Sequence, residues 1–245
     1  MSDAVVIRWH GQACVTLVSP QGVTVLVDPF DESIGHRLPR VQPDLVVVTH
    51  NHYDHANVEG VAGSPTVLCG LDSGGGWAEV DESVGDVRVR TIGTWHDEVR
   101  GAKRGRNSLV LLEMGGLHLV HAGDLGHVLS EDQVRAVGPV DVLLIPAGGV
   151  YTVSPSEARQ VVRQLAPRRM VVPIHFRTEP LTIDLEPVEA FLQGLPEPRR
   201  PGANEVRVPL EAPAGRPNGP EIVVLDWRPG GGAGKDSAGK NAPPA

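Results

Sequence analysis

Cysteine is nearly absent from this chain of 245 residues, occurring only as Cys14 and Cys69. Two thiols cannot build a disulfide framework, and such usage fits a reducing compartment, so a cytoplasmic location is expected. Both lie in apolar, strand-like stretches, which predicts core packing rather than metal binding. No apolar run approaches the roughly 20 residues needed to span a bilayer. The opening Met1-Ser2-Asp3-Ala4 lacks the basic-then-apolar layout of a signal peptide, so no membrane association is expected. A basic excess is missing too. The formal net charge is −8 and the pI about 5.7, which argues against a dedicated nucleic-acid binder. Small basic concentrations at Arg100-Lys103-Arg104-Arg106, Arg168-Arg169 and Arg199-Arg200 read as solvated faces, although the first closely follows a candidate ligand. Triple glycine at 74–76 is followed by no Gly-Lys-Ser/Thr, which excludes a phosphate loop and predicts a flexible one.

What is present is a series of short β-type runs. Residues 5–8, 14–19 and 23–27 are separated by turn signals at Gly11 and at Pro20-Gln21-Gly22. Further runs occupy 45–48, 66–68, 87–92, 140–145 and 170–174, and Met114-Gly115-Gly116 reads as a hairpin between 108–113 and 117–121. Ser130-Glu131-Asp132 predicts a capped helix over 133–137, and Ser154-Pro155-Ser156-Glu157 another over 158–165, stopped by Pro167. A third is expected over 184–192. Strands interleaved with helices give an α/β reading. The stretches 196–201 and 212–220 are Pro-rich connectors, and 229–245 has no large apolar residue, so it is expected to be a disordered tail after one domain over 1–228.

The densest chemistry is Thr49-His50-Asn51-His52-Tyr53-Asp54-His55, placed directly after the apolar run Leu45-Val46-Val47-Val48. Imidazole and carboxylate are ligands that borderline divalent metals accept, and four of them crowd one strand-end loop. One loop rarely closes a site alone. His96, Asp124 and His175 each follow an apolar strand in the same way, so loops from several strands can converge on one place.

Taken as an ordered set, these residues resemble the metallo-β-lactamase superfamily. The words Trp9-His10-Gly11-Gln12-Ala13-Cys14, Val27-Asp28-Pro29, His121-Ala122-Gly123-Asp124 and Val172-Pro173-Ile174-His175 are similar to its branch of ascorbate-6-phosphate-lactonase-like and related metal-dependent hydrolases. The resemblance runs from about residue 5 to residue 176. It implies a four-layer αββα sandwich with a binuclear metal site at one edge of the sheets. His50, His52 and His96 would hold the first ion, and Asp54, His55 and His175 the second, with Asp124 between them. Zinc is the usual expectation, with manganese or iron as alternatives. Presence of His52 where oxygen-reducing di-iron relatives carry Glu argues against redox chemistry, and the lack of a cysteine aligned with the site argues against antibiotic hydrolysis.

The expected chemistry is attack of an activated water on an ester, lactone or phosphoester of a small molecule, with Asp54 both a ligand and the group that orients the water or takes its proton. Asp28, Asp97 and His121 are candidates to hold imidazole N–H groups; for Asp28 a turn role before Pro29 is equally open. His10 and His127 are not expected to ligate, and His36 and His118 read as loop and strand-surface residues. Arg104, Arg106 and Asn107 lie on a loop that could meet an anion or oxyanion, and Tyr151 sits in a loop entering a helix. Of these, Arg106, Asn107 and Tyr151 are the expected substrate contacts, with ordinary loop structure as the alternative. Two other functions compete: an RNase Z-like phosphodiesterase or nuclease, and a non-catalytic metal-binding scaffold. A homo-oligomer is left open.

Overall fold

The computed structural model describes residues 2–211 and 219–228. The tail expected over 229–245, and most of the connector at 212–220, lie outside these residues. The described residues form thirteen strands: β1 (Ala4–Trp9), β2 (Val15–Val18), β3 (Thr24–Val27), β4 (Leu45–Val48), β5 (Thr66–Cys69), β6 (Asp81–Val84), β7 (Val87–Trp95), β8 (Arg106–Met114), β9 (Leu117–His121), β10 (Val142–Pro146), β11 (Met170–Ile174), β12 (Glu205–Pro209) and β13 (Glu221–Ile222). They form a six-stranded sheet in the order β12-β1-β2-β3-β4-β5 and a seven-stranded sheet in the order β13-β11-β10-β9-β8-β7-β6.

Alternation along the strands makes the sandwich. In β4, Leu45 and Val47 join Val5, Ile7, Val25 and Val27 in the core shared with the second sheet, whereas Val46 and Val48 face outward with Leu26 and Phe30. Both faces of this strand are therefore covered, which explains its unbroken apolar sequence. The outer layer over the second sheet contains α1 (Glu131–Val137) and α2 (Pro155–Leu165). Each starts with a capping box, Ser130 with Gln133 and Ser154 with Glu157. Ala158, Val161, Val162 and Leu165 form the buried stripe of α2. The outer layer over the first sheet is thinner, with 3₁₀ turns at Glu32–Ile34 and Val58–Gly60 and loop side chains such as Leu38, Val41 and Ile183. The α/β sandwich is thus asymmetric in its outer layers.

Three local expectations change. The third helix shrinks to α3 (Glu189–Leu192), because Pro187 disfavours helical backbone just before it. The preceding segment instead runs against the site loops, with Glu186 N donating to Gly148 O. Cys69 lies exposed at the end of edge strand β5, not in the core, whereas Cys14 is buried. The glycine loop is tied rather than loose: Asp72 Oδ1 accepts N–H groups from Gly74 and Gly76, both at 2.8 Å.

Candidate metal centre

The loops after β4, β7, β9 and β11 meet at one edge of the sandwich, carrying His50 to His55, His96, Asp124 and His175. Close backbone approach is required there. A Cβ on Gly126 would lie 2.2 Å from the backbone of His96 and Asp97, so only glycine lets the loop after Asp124 lie on the His96 loop. Three non-glycine residues around the site hold left-handed backbone: Asp28, Gln12 and His175, each at φ 50°. Such strain is found where surrounding contacts over-determine the backbone.

Two groups of ligand-type atoms result, each within 4.8 Å: His50, His52 and His96; and Asp54, His55, Asp124 and His175. The Asp124 carboxylate connects them. Its Oδ2 is 3.1 Å from His96 Nε2 and 3.2 Å from His55 Nε2, and its Oδ1 is 3.3 Å from His175 Nε2. His55 Nε2 and Asp124 Oδ1 are buried without a hydrogen-bond partner among the described residues. His50 Nε2 and His52 Nδ1 face each other at 3.1 Å. Converging, unpartnered nitrogen and carboxylate donors of this kind fit divalent ions.

Hydrogen bonding sets the tautomers. Asp28 Oδ2 accepts from His55 Nδ1 at 2.9 Å and from Thr49 Oγ1 at 2.8 Å, and Thr49 Oγ1 in turn lies 3.0 Å from His50 Nδ1. One buried carboxylate therefore turns the Nε2 atoms of both His50 and His55 inward. The orienting role left open for Asp28 is the one its contacts support. Burial, then neighbouring His55, pushes His50 well below the ordinary imidazole range, which keeps it in the neutral, ligand-competent form. His52 is lowered mainly by burial too. Burial alone would lower His55, but Asp124 and Asp28 raise it well above the ordinary value. Burial would raise Asp124, yet His175 and His55 hold it well below the carboxylate range.

Other expected roles move. Asp97 holds no imidazole; its carboxylate accepts N–H groups of the loop that follows it. His121 Nε2 instead lies 2.8 Å from Ala13 O, and its Nδ1 accepts from Gly123 N. His36, expected on a loop surface, is buried against Phe30 and Trp227. His10 bonds Thr16, and His127 accepts from Trp95 N, both outside the two ligand groups.

A cavity of about 600 Å³ opens over the centre, lined by His52, Asp54, His96, Asp124 and His175 and, at its rim, by Tyr53, Arg104 and Tyr151. Tyr151, one of the expected substrate contacts, lines this cavity. Arg106 is not among the lining residues: its guanidinium lies over the Trp77 and Trp95 rings and donates to Gly75 O. Asn107 is fully buried and serves as a brace, donating to Thr94 Oγ1 and Ala122 O while its Oδ1 accepts from Asp124 N. Sequence reasoning missed Gln12 as part of the site; the turn signal at Gly11 marks the place but not the contact. Tyr53, Thr182, Ile183 and Asp184 were also missed as lining residues.

A family model for the beta-lactamase superfamily domain matches residues 6–175, from β1 through His175. The chain belongs to the metallo-β-lactamase superfamily. Within it, the chain is 30% identical over 190 residues to a metal-dependent hydrolase of Thermoplasma acidophilum, covering 70% of this chain and 83% of that one. It is 33% identical over 190 residues to a metal-dependent hydrolase of Methanoregula boonei, covering 70% and 82%. A crystal structure from Thermotoga maritima, a candidate Zn-dependent hydrolase of the metallo-β-lactamase superfamily, superposes with a TM-score of 0.69 at 32% identity over 90% of this chain and 98% of that one. This superfamily member is a metal-dependent hydrolase, with His50, His52, Asp54, His55, His96, Asp124 and His175 as candidate metal-binding residues. None of the helices among the described residues is long and apolar enough to cross a membrane.

Proposed function

We propose that this protein hydrolyses an ester, lactone or phosphoester of a small molecule with two divalent ions, zinc being the expected metal. The observation that carries the reading is the pair of ligand groups sharing Asp124. His50, His52 and His96 would hold one ion and Asp54, His55 and His175 the other. Bound ions of this kind supply Lewis acidity and a water acidified from ~15.7 towards neutrality.

The chain's own residues do the rest. Asp28 and Thr49 keep the His50 and His55 rings turned inward, so the rings need not turn on loading. Asp54 orients the attacking water and takes its proton at a carboxylate oxygen. Asn107, by accepting from Asp124 N, fixes the backbone from which that carboxylate extends. Arg104 lies at the rim with its guanidinium 5.5 Å from the Tyr151 ring centroid and one long bond of 3.4 Å to Val150 O. Most of its donors have no partner among the described residues and can meet an oxyanion, so Arg104 with Tyr151 takes the binding role expected of Arg106. A cavity of about 600 Å³ suits a small molecule.

The test is metal analysis with a screen of aryl esters, lactones and phosphodiesters, run on wild type and Asp54→Ala. The expected result is about two equivalents of metal per chain and turnover that Asp54→Ala abolishes without loss of secondary structure. A metal-loaded wild type inert across all three substrate classes defeats the hydrolytic reading and favours a scaffold.

A further inference from the structure

Between β1 and β2 the chain makes a tight turn at Gly11-Gln12, with φ 94° and φ 50°. Left-handed backbone is cheap for Gly11 but not for Gln12, because the residues that tolerate it are chiefly Asn, Asp and His. Gln12 is nonetheless fully buried and connected on three sides. Its carbonyl accepts Trp9 Nε1 at 2.9 Å and His175 N at 2.9 Å. Its side-chain Nε2 donates to Asp54 Oδ2 at 2.7 Å. Asp54 and His175 come from different sheets and from distant parts of the sequence, and both belong to the same group of candidate ligands.

The geometry points to Gln12 as a positioning residue that holds the second ion's ligands in register, resting on the two-ion reading above. Its amide orientation is fixed by chemistry: flipped, Oε1 would face a carboxylate oxygen, and acceptor against acceptor is repulsive. Oε1 is buried without a partner among the described residues, a cost that the bond from Nε2 offsets. The role calls for a neutral donor of this length. Glutamate would add a second acceptor, methionine would donate nothing, and asparagine would fall one methylene short. Because one residue grips Asp54 by its side chain and His175 by its backbone, the two ligands cannot drift apart independently. His50, His52 and His96 take no hydrogen bond from Gln12 among the described residues, so the first group does not share this support.

Asparagine separates positioning from folding. Asn tolerates left-handed backbone better than Gln, which offsets part of the stability lost with the buried bond to Asp54, so Gln12→Asn removes the grip on Asp54 while limiting the cost to folding. The experiment strips zinc from metal-loaded full-length protein with a chromogenic chelator, for wild type, Gln12→Asn and Gln12→Met, alongside melting of each chelated protein. In both variants one ion is expected to leave about 10–100-fold more readily than in wild type while the other stays within about threefold. The melting temperature of chelated Gln12→Asn is expected to fall only slightly below wild type. Retention of both ions at wild-type strength overturns the proposal. So does loss of both ions together in proportion to a fallen melting temperature. A wild type that holds a single ion defeats the two-ion reading separately, and Gln12 is then judged by whether that ion weakens in Gln12→Asn; an unchanged affinity overturns its role.

Discussion

The carboxylate of Asp97 accepts the backbone N–H of Arg104 at 2.7 Å, closing a loop that carries Arg104 to the cavity rim. Both oxygens are engaged: Val99 and Gly101 donate to Oδ1, and Lys103 and Arg104 to Oδ2. One side chain thus replaces the regular structure that the segment between β7 and β8 lacks. Burial works against the Asp97 charge, but those N–H groups hold its pKa below the usual carboxylate value.

Asp97→Ala is expected to destabilise the protein by about 2–3 kcal/mol, since several N–H groups lose a charged acceptor and only some reach water. Its second effect is on specificity. With the loop loosened, KM for a carboxylate-bearing aryl ester rises more than KM for its neutral counterpart. Urea unfolding and steady-state kinetics on the ester pair read the two effects. An unfolding midpoint like wild type would remove Asp97 from this role.

Asp28 makes the sharper case for the metal centre. Asp28→Asn turns an NH2 group either towards Thr49 N or towards His55 Nδ1 and Thr49 Oγ1, so it cannot accept from all three together. Metal affinity is expected to fall about 10–100-fold, measured by competition with a chelator. Because Thr49 relays Asp28 to His50, Thr49→Val is expected to weaken the first ion more than the second. Equal loss of both ions in Thr49→Val would contradict the relay.

Much of this was legible in the sequence. Strands with both faces buried are unbroken apolar runs, so β4 and β11 begin and end as expected, and the glycine hairpin before β9 marks that strand. Ligand-type residues at strand ends announce themselves by residue type and position, and all seven candidates meet. Roles that depend on direction were not legible. Arg106 and Asn107 are strand residues whose side chains point opposite ways, one onto Trp77 and one into the Asp124 loop, and alternation alone does not say which face reaches a cavity. Gln12 was hidden because its contact joins positions 12 and 54 through a backbone conformation that glutamine seldom adopts. Short strands such as β6 and β13 carry too little pattern to be read, being exposed or only two residues long.

His36 predicts the acid limb of stability. The ring is buried beside Phe30 and Trp227, with Nε2 2.8 Å from Thr178 Oγ1, and burial lowers its pKa to about 4 from 6.5. Between those values the unfolded chain binds a proton that the folded protein refuses, so stability falls as pH drops from 6.5 to about 4 and levels off below. The ceiling on this loss is about 3 kcal/mol. His36→Gln, which does not titrate, is expected to flatten the limb. Other histidines contribute to both curves, so the difference between wild type and variant, measured as urea midpoints across this range, isolates His36. Parallel curves would show that His36 takes up its proton equally in both states.

Asp124 offers the test that joins stability to loading. Its carboxylate lies within 3.3 Å of His55, His96 and His175, so its loss damages both ligand groups. An ion that binds only the folded state adds roughly 2.7 kcal/mol at a concentration 100 times its Kd. In a domain of this size that raises the melting temperature by roughly 5–10 °C. Wild type is expected to show such a rise on adding zinc and to lose it on adding a chelator. Asp124→Ala is expected to respond little to either, while Asp54→Ala, which keeps the first group intact, retains part of the rise. Melting curves with zinc, with chelator and with neither distinguish these cases. A full zinc-dependent rise in Asp124→Ala would mean that the ions do not share this carboxylate.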